Sequence, residues 1–289
     1  MNAELIQEIL RLLQFPCAVH FAEPFRSPED GSIYPVWHLV TDRGELVLKQ
    51  ASSREASVYR AFFLDGRAAP HLLASGEAEG QCYILMEYVP GHDLCRCSRR
   101  ELQLFLDALI EAQEKHWADW DHRDVGYSFA SCWENRQKRS AYMGELGKAY
   151  QAYLDAFATL PRTLCNDDML PFNVLVQNER AVILDWDYGG ILPYPSPLAR
   201  FLAFGEENEN ALFYLRDEDR QFALDYYFMK LPFRHGISRE EFDRTMDLFF
   251  FKEYSEWVYC AGISGDYEME YYKKYAPMAR RLAESLGYL

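Results

Sequence analysis

Three oxygen-bearing side chains carry the chemistry this chain could do: Asp168, Asn173 five positions later, and Asp185 beyond a second apolar run. Transfer of a phosphoryl group asks for such a set. A carboxylate must receive or orient the attacking hydroxyl, and oxygen ligands must hold the Mg²⁺ ions that neutralise phosphate charge. Kinases supply these as an Asp, an Asn five residues on, and a second Asp after a short hairpin. Asp168 fits the base, and Asn173 and Asp185 fit the metal ligands. An Asp with an Asn five residues away is common by chance. The specific signal is the context, Leu164-Cys165-Asn166-Asp167-Asp168 through Val174-Leu175-Val176, then Val182-Ile183-Leu184-Asp185-Trp186-Asp187. The other reading of these residues is that Asp167 and Asp168 merely turn the chain and Asp185 ends a strand.

The elements around these residues must bring them together. Val174 to Val176 and Ala181 to Leu184 are short and β-branched, with polar Gln177-Asn178-Glu179-Arg180 between them, which predicts a hairpin. Its open end would set Asn173 beside Asp185. A site of this kind also needs a Lys to hold the α- and β-phosphates, oriented by a Glu on the next helix. Lys49, closing Leu46-Val47-Leu48-Lys49, fits the first role and Glu55 the second. A solvated strand-end lysine and a surface glutamate are the bland alternatives.

Further out, Leu5, Ile6, Ile9, Leu10, Leu12 and Leu13 recur at helical spacing. Residues 35–40 and 45–48 flank a Thr41-Asp42-Arg43-Gly44 turn, a helix is expected over 53–64, and a strand over 81–86. Beyond Pro90-Gly91 the pattern turns helical. Capping boxes at Ser98 with Glu101, Ser131 with Glu134 and Ser238 with Glu241 predict helices over about 98–118, 131–157 and 239–261, with Gly262 as the last stop. In that half only the 174–184 hairpin is expected to interrupt the helices.

These motifs together resemble the aminoglycoside phosphotransferase and choline kinase superfamily, whose members usually read His-Gly-Asp or His-Asn-Asp, four residues, Asn, then Ile-Asp-Trp and an acidic residue. Asn166 stands where the family has His, Asp167 follows it, and Pro197-Leu198-Ala199 replaces the common Asp-Leu-Ala. The resemblance implies a bilobed, protein-kinase-like α+β fold. A small β-rich nucleotide-binding lobe would span 1–88 and a larger, mostly helical catalytic and substrate lobe 89–289. It implies that Leu85-Met86-Glu87-Tyr88-Val89-Pro90-Gly91 connects the lobes and binds adenine through the backbone around Glu87 and Val89. It further implies that Asp30-Gly31-Ser32-Ile33-Tyr34 is a sparse phosphate loop contributing Ser32; a plain turn explains that segment as well.

For the acceptor, Phe250, Glu253, Tyr254 and Trp257 would share one helix face. Aromatic rings beside carboxylates suit ammonium groups, whereas core packing accounts for the same residues. Asp187 would assist as a nearby carboxylate. The implied activity is ATP- and Mg²⁺-dependent phosphorylation of a hydroxyl on a small, amine-bearing molecule, such as a choline-like amino alcohol, an amino sugar or an aminoglycoside. A nucleotide-binding pseudokinase without turnover is the alternative that Asn166 motivates. A protein-kinase-like regulator would need an activation segment, for which Tyr188 to Pro197 offers little room, and a helical binding scaffold is the plainest reading.

Bulk properties fit a globular enzyme. Apolar residues form 49% of the 289 and charged residues 26%, so a substantial core is expected. A formal charge of −15 argues against nucleic acid or an anionic membrane as the main partner. Seven scattered cysteines without a Cys-x-x-Cys pair read as reduced thiols of a cytoplasmic protein. The seven histidines read as dispersed, with no His-based metal site, and no signal peptide or membrane span is expected. Nothing in the sequence specifies an oligomeric state.

Overall fold

The structure, a computed structural model, describes residues 3–26, 31–64 and 67–289. Helix α1 (Ala3–Leu12) places Ile6, Ile9 and Leu10 on one buried face. It packs on a five-stranded antiparallel sheet of β1 (Val19–Arg26), β2 (Ile33–Thr41), β3 (Gly44–Ala51), β4 (Leu72–Ala78) and β5 (Gln81–Glu87), in the order β1-β2-β3-β5-β4. Trp37, Leu39, Leu46, Leu48, Tyr83 and Leu85 close a small core beneath α1. Helix α2 (Ser53–Phe62) follows β3 at once, because the Ser52 side chain accepts from the Glu55 N–H and caps it.

After β5 the chain pairs His92 and Asp93, as β6 (His92–Asp93), with β8 (Val174–Gln177), which in turn pairs with β9 (Arg180–Ile183). The helical half comprises α3 (Arg99–Lys115), α4 (Phe129–Arg139), α5 (Gly147–Thr159), α6 (Ser196–Ala203), α7 (Asp217–Lys230), α8 (Arg239–Ser264) and α9 (Glu270–Ser285). Capping boxes at Ser98 with Glu101 and Ser238 with Glu241 start α3 and α8 as expected.

Four expectations are corrected. A single helix over 131–157 is instead α4 and α5, separated by two 3₁₀ turns at residues 140–146. Gly144, at φ +51, takes a backbone conformation an α-helix cannot continue. The cap of α4 is Ser128, not Ser131, so the helix starts earlier than its apparent box. The stop of α8 is Gly265 in the left-handed region; Gly262 lies inside the helix against the Tyr142 ring. The helical half also contains a second strand pair, β7 (Arg162–Asn166) with β10 (Gly189–Pro193), in addition to the expected hairpin.

That pair positions the candidate site, because β7 leads into Asp167 and Asp168 while one residue separates Asp185-Trp186-Asp187 from the start of β10. Gly126 bridges Gly190 across β10, at φ +74 and with the Gly189 carbonyl 2.2 Å from where a Cβ would lie, so only glycine fits the crossing. One large core runs continuously from Val58, Tyr59 and Phe62 of α2 through Phe105, Tyr153, Trp186 and Phe201 to Phe251. Among the described residues no helix is long and apolar enough to cross a membrane, and all seven cysteines are free.

Candidate active site

The residues expected to form the catalytic loop leave β7 at a sharp turn held by side chains. Asn166, fully buried, accepts at Oδ1 from the Asp168 N–H at 3.0 Å and donates from Nδ2 to the Asp185 carbonyl at 2.9 Å. It ties the two carboxylate-bearing segments together. Asn173 donates from Nδ2 to the Asp168 carbonyl at 3.1 Å, and the Leu184 N–H donates to the Asn173 carbonyl at 2.7 Å. The hairpin β8–β9 registers Val174 opposite Ile183, so Asn173 and Asp185 meet at its open end as the spacing predicts. Asp185 sits at φ +52, a conformation that Asp tolerates better than most residues.

Lys49, on β3, reaches the same place. Its Nζ lies 2.7 Å from Glu55 Oε1 and 2.8 Å from Asp185 Oδ1. Burial alone would lower the Lys49 pKa, but the two facing carboxylates outweigh it and hold the value above that of an ordinary lysine. Glu55 is almost fully buried and also accepts the Trp186 N–H at 3.2 Å, so its carboxylate is fixed from both sides; burial pushes its pKa up while Lys49 pulls it back. The six-residue separation of Lys49 and Glu55 is therefore sufficient, because α2 begins directly after the strand.

Asp187 is placed otherwise than as an acceptor contact. One of its oxygens takes the Ser52 hydroxyl and the other Arg54 Nη2 at 2.7 Å. Burial would raise its pKa, but these two donors hold it below the usual value. Arg54 in turn lies over the Tyr127 and Tyr188 rings, 5.2 and 5.1 Å from their centroids. The cluster clamps the start of α2 to the turn after Asp185.

Glu87 turns its side chain to the His71 N–H (2.8 Å) and Arg180 Nη2 (2.6 Å). Desolvation raises its pKa less than these partners lower it. Its N–H donates to the His71 carbonyl, and the Val89 carbonyl accepts from Gly91, so Glu87 and Val89 begin the connector between the sheet and β6. Ser32 is exposed just before β2. Asp30 of the expected phosphate loop lies outside the described residues.

The residues expected to meet the acceptor divide. Glu253, at 4% exposure, is enclosed, with Lys252 Nζ at 2.9 Å and Arg200 Nη1 at 3.1 Å. Tyr254 is buried and donates to the Ala203 carbonyl. Neither presents a free surface, which corrects their expected place in a ligand cage. Trp257 is half-buried and stacked on Tyr271 of α9 at 4.4 Å, with Tyr275 at 6.3 Å. The ring set continues through Tyr275 to Phe204 at 5.0 Å, over which Arg200 lies at 5.4 Å. Sequence reasoning missed the α9 tyrosines because only the packing of α8 on α9 brings them to Trp257.

It also missed Arg200 and Arg136. Arg200 donates to Asp168 Oδ1 from Nη2 at 2.9 Å. Arg136 grips both oxygens of Asp167 at 2.7 and 2.9 Å. The histidines are less dispersed than they read: His116 and His122 each direct Nδ1 at the Asp119 carboxylate at 2.8 Å. Phe62 meets both rings edge-on, and burial lowers the His116 pKa.

A fold of this shape with this loop defines a kinase-like phosphotransferase, and the sequence places the chain accordingly. The profile of the phosphotransferase enzyme family matches residues 25–231, well over half of the chain, and the chain belongs to that family. It is similar in structure to an aminoglycoside phosphotransferase solved in ternary complex with AMP-PNP and hygromycin B (15% identity, 98% of this chain and 99% of that one, TM-score 0.61). It is also similar to a choline kinase from Cryptosporidium parvum Iowa II (12%, 99% and 96%, 0.59) and to a choline/ethanolamine kinase family protein from Mesorhizobium loti (15%, 98% and 97%, 0.59). No curated protein matches the chain in sequence. The resemblance to the superfamily and the kinase-like α+β fold expected from the motifs are thus borne out.

Proposed function

We propose that this phosphotransferase moves the γ-phosphoryl group of Mg²⁺-ATP to a hydroxyl of a small, amine-bearing acceptor. The observation that carries this reading is the junction at Asp185. Lys49, Glu55, Asn166 and Asn173 converge there from four separate segments, with Asp168 one hydrogen bond away on each side of its peptide.

Residues 1–88 serve as the nucleotide lobe and 89–289 as the catalytic and acceptor lobe. Lys49 is the phosphate clamp, oriented by Glu55, while Ser32 and the backbone around Glu87 and Val89 border the nucleotide. The residues offered to Mg²⁺ suit it: Asp185 carries a half-exposed carboxylate, and Asn173 uses its amide nitrogen on Asp168, which leaves the amide oxygen as the ligand atom. Bound there, the metal neutralises charge on the transferring phosphoryl group. Asp168 accepts or orients the acceptor hydroxyl; Asn166 and Asn173 hold its peptide while it does so.

Support for a cationic acceptor comes from the formal charge of −15 and the half-buried Trp257–Tyr271 pair, which belongs to a ring set that begins at Arg200 beside Asp168. Catalytic competence, rather than nucleotide binding alone, is favoured because Asn166 bonds both the Asp168 and the Asp185 segments.

ADP release with Mg²⁺-ATP against amino alcohols, amino sugars and aminoglycosides tests the reading. Acceptor-dependent turnover that disappears in Asp168→Ala and on chelation with EDTA is expected. Nucleotide binding with no turnover on any acceptor would point to the pseudokinase instead.

A further inference from the structure

A row of six alternating charges runs beneath the catalytic loop. Arg136 pairs with Asp167; Lys252, whose charge bears on Asp167, pairs with Glu253; Glu253 pairs with Arg200; and Arg200 pairs with Asp168. Three cations offset three anions. Arg136, Lys252 and Glu253 are each under a tenth exposed, and Asp168, at the end of the row, is the most exposed of the six side chains. Buried charge is costly unless paired, so each member is held by its neighbours, and the row ends at the carboxylate proposed as base.

The contacts at Asp168 divide cleanly. Its N–H is held by Asn166 and its carbonyl by Asn173, which fixes the peptide but leaves the side chain to rotate. Among the described residues only Arg200 bonds the carboxylate, with Nη2 at 2.9 Å and Nε at 3.3 Å on the one oxygen Oδ1. Two donors on one oxygen leave Oδ2 for another partner. Arg200 is itself aimed by Glu253 on α8, the helix that also carries Trp257. It stands one turn beyond Pro197, whose side chain has no hydrogen-bonding atom and lies in a helix start without a side-chain cap.

We infer that Arg200 is a positioning residue for phosphoryl transfer, holding the Asp168 carboxylate by one oxygen and linking it through Glu253 to the helix that borders the acceptor. This inference rests on the phosphotransfer reading above. Asp168 is the group that meets the acceptor hydroxyl; Arg200 acts through it. Misplacement of a catalytic group by about 1 Å costs about a hundredfold in rate, so an unanchored carboxylate should lower kcat without disturbing the nucleotide.

The test uses the full chain with Arg200→Met, Arg200→Lys and Glu253→Gln, Mg²⁺-ATP, and the best acceptor found in the panel. Arg200→Met should lower kcat about 10- to 100-fold with KM for ATP within about twofold. Arg200→Lys, which keeps the charge but not the fork, should recover part of the loss, and Glu253→Gln should fall between. A kcat within twofold of the parent in Arg200→Met overturns the inference, as does a parallel loss of kcat, ATP binding and thermal stability. If the parent chain turns over no acceptor, the phosphotransfer reading fails on its own. The anchor is then decided by melting temperatures of Arg200→Met, Asp168→Asn and the double variant: losses that fail to add support the contact, and strictly additive losses overturn it.

Discussion

Lys49 and Asp185, 136 residues apart in sequence, lie with Nζ 2.8 Å from Oδ1, and the same ammonium touches Glu55. An ammonium shared by two carboxylates is compensated without nucleotide, and phosphate oxygens of ATP would compete for it with Asp185 while Glu55 keeps it aimed.

Replacing Lys49 by Met should therefore weaken Mg²⁺-ATP binding. Hydrogen bonds to charged groups contribute about 1.5–3 kcal/mol, equivalent to about a 10- to 150-fold rise in Kd. Isothermal titration calorimetry reads this directly, and an unchanged Kd would exclude Lys49 from the nucleotide site.

Asn166→Ala removes the link between the Asp168 N–H and the Asp185 carbonyl and leaves both part-buried groups without that partner. Leaving a buried polar group unsatisfied costs about 1–3 kcal/mol. Urea denaturation should show a loss of that order, and kcat should fall more than KM for ATP rises. Full activity in the variant would mean that the two segments hold their geometry without the amide.

The Arg136–Asp167 pair makes a claim on stability. Burial raises the Asp167 pKa, but Arg136 and Lys252 outweigh it and hold the carboxyl below its ordinary value of 3.8. A carboxyl depressed in the folded state adds stability above its unfolded pKa of about 3.9, and that contribution is lost as pH falls through the folded value. Below pH 4 the parent should thus lose stability more steeply than Asp167→Asn. Arg136→Met, which strands the carboxylate, should cost about 3–5 kcal/mol at neutral pH, read by thermal or chemical denaturation.

Trp257→Ala tests the aromatic site. Trp257 stacks on Tyr271, whose ring is half exposed. A desolvated cation–π contact is worth about 2 kcal/mol, so KM for a cationic acceptor should rise about tenfold or more while KM for ATP stays level. A neutral acceptor should show no such rise, and equal effects on both acceptors would assign Trp257 to packing.

Much of this molecule was legible in its residues. Ser98 with Glu101 and Ser238 with Glu241 announce α3 and α8 because a cap is a contact between residues three apart. The hairpin that joins Asn173 to Asp185 is likewise local, with Asn178 at φ +53 between two β-branched runs. The pairing of Lys49 with Glu55 follows from a strand and a helix separated by one capping serine. What packing alone decided are the partners from afar. Arg200 at Asp168, Arg136 at Asp167, Arg54 at Asp187 and Tyr271 at Trp257 join segments 14 to 133 residues apart, and a charged or aromatic side chain looks the same in sequence whether it faces water or a buried partner. Glu253 and Tyr254 show why: helical periodicity assigned them a face, but whether that face meets solvent or the interior depended on α6 and α9 closing over it.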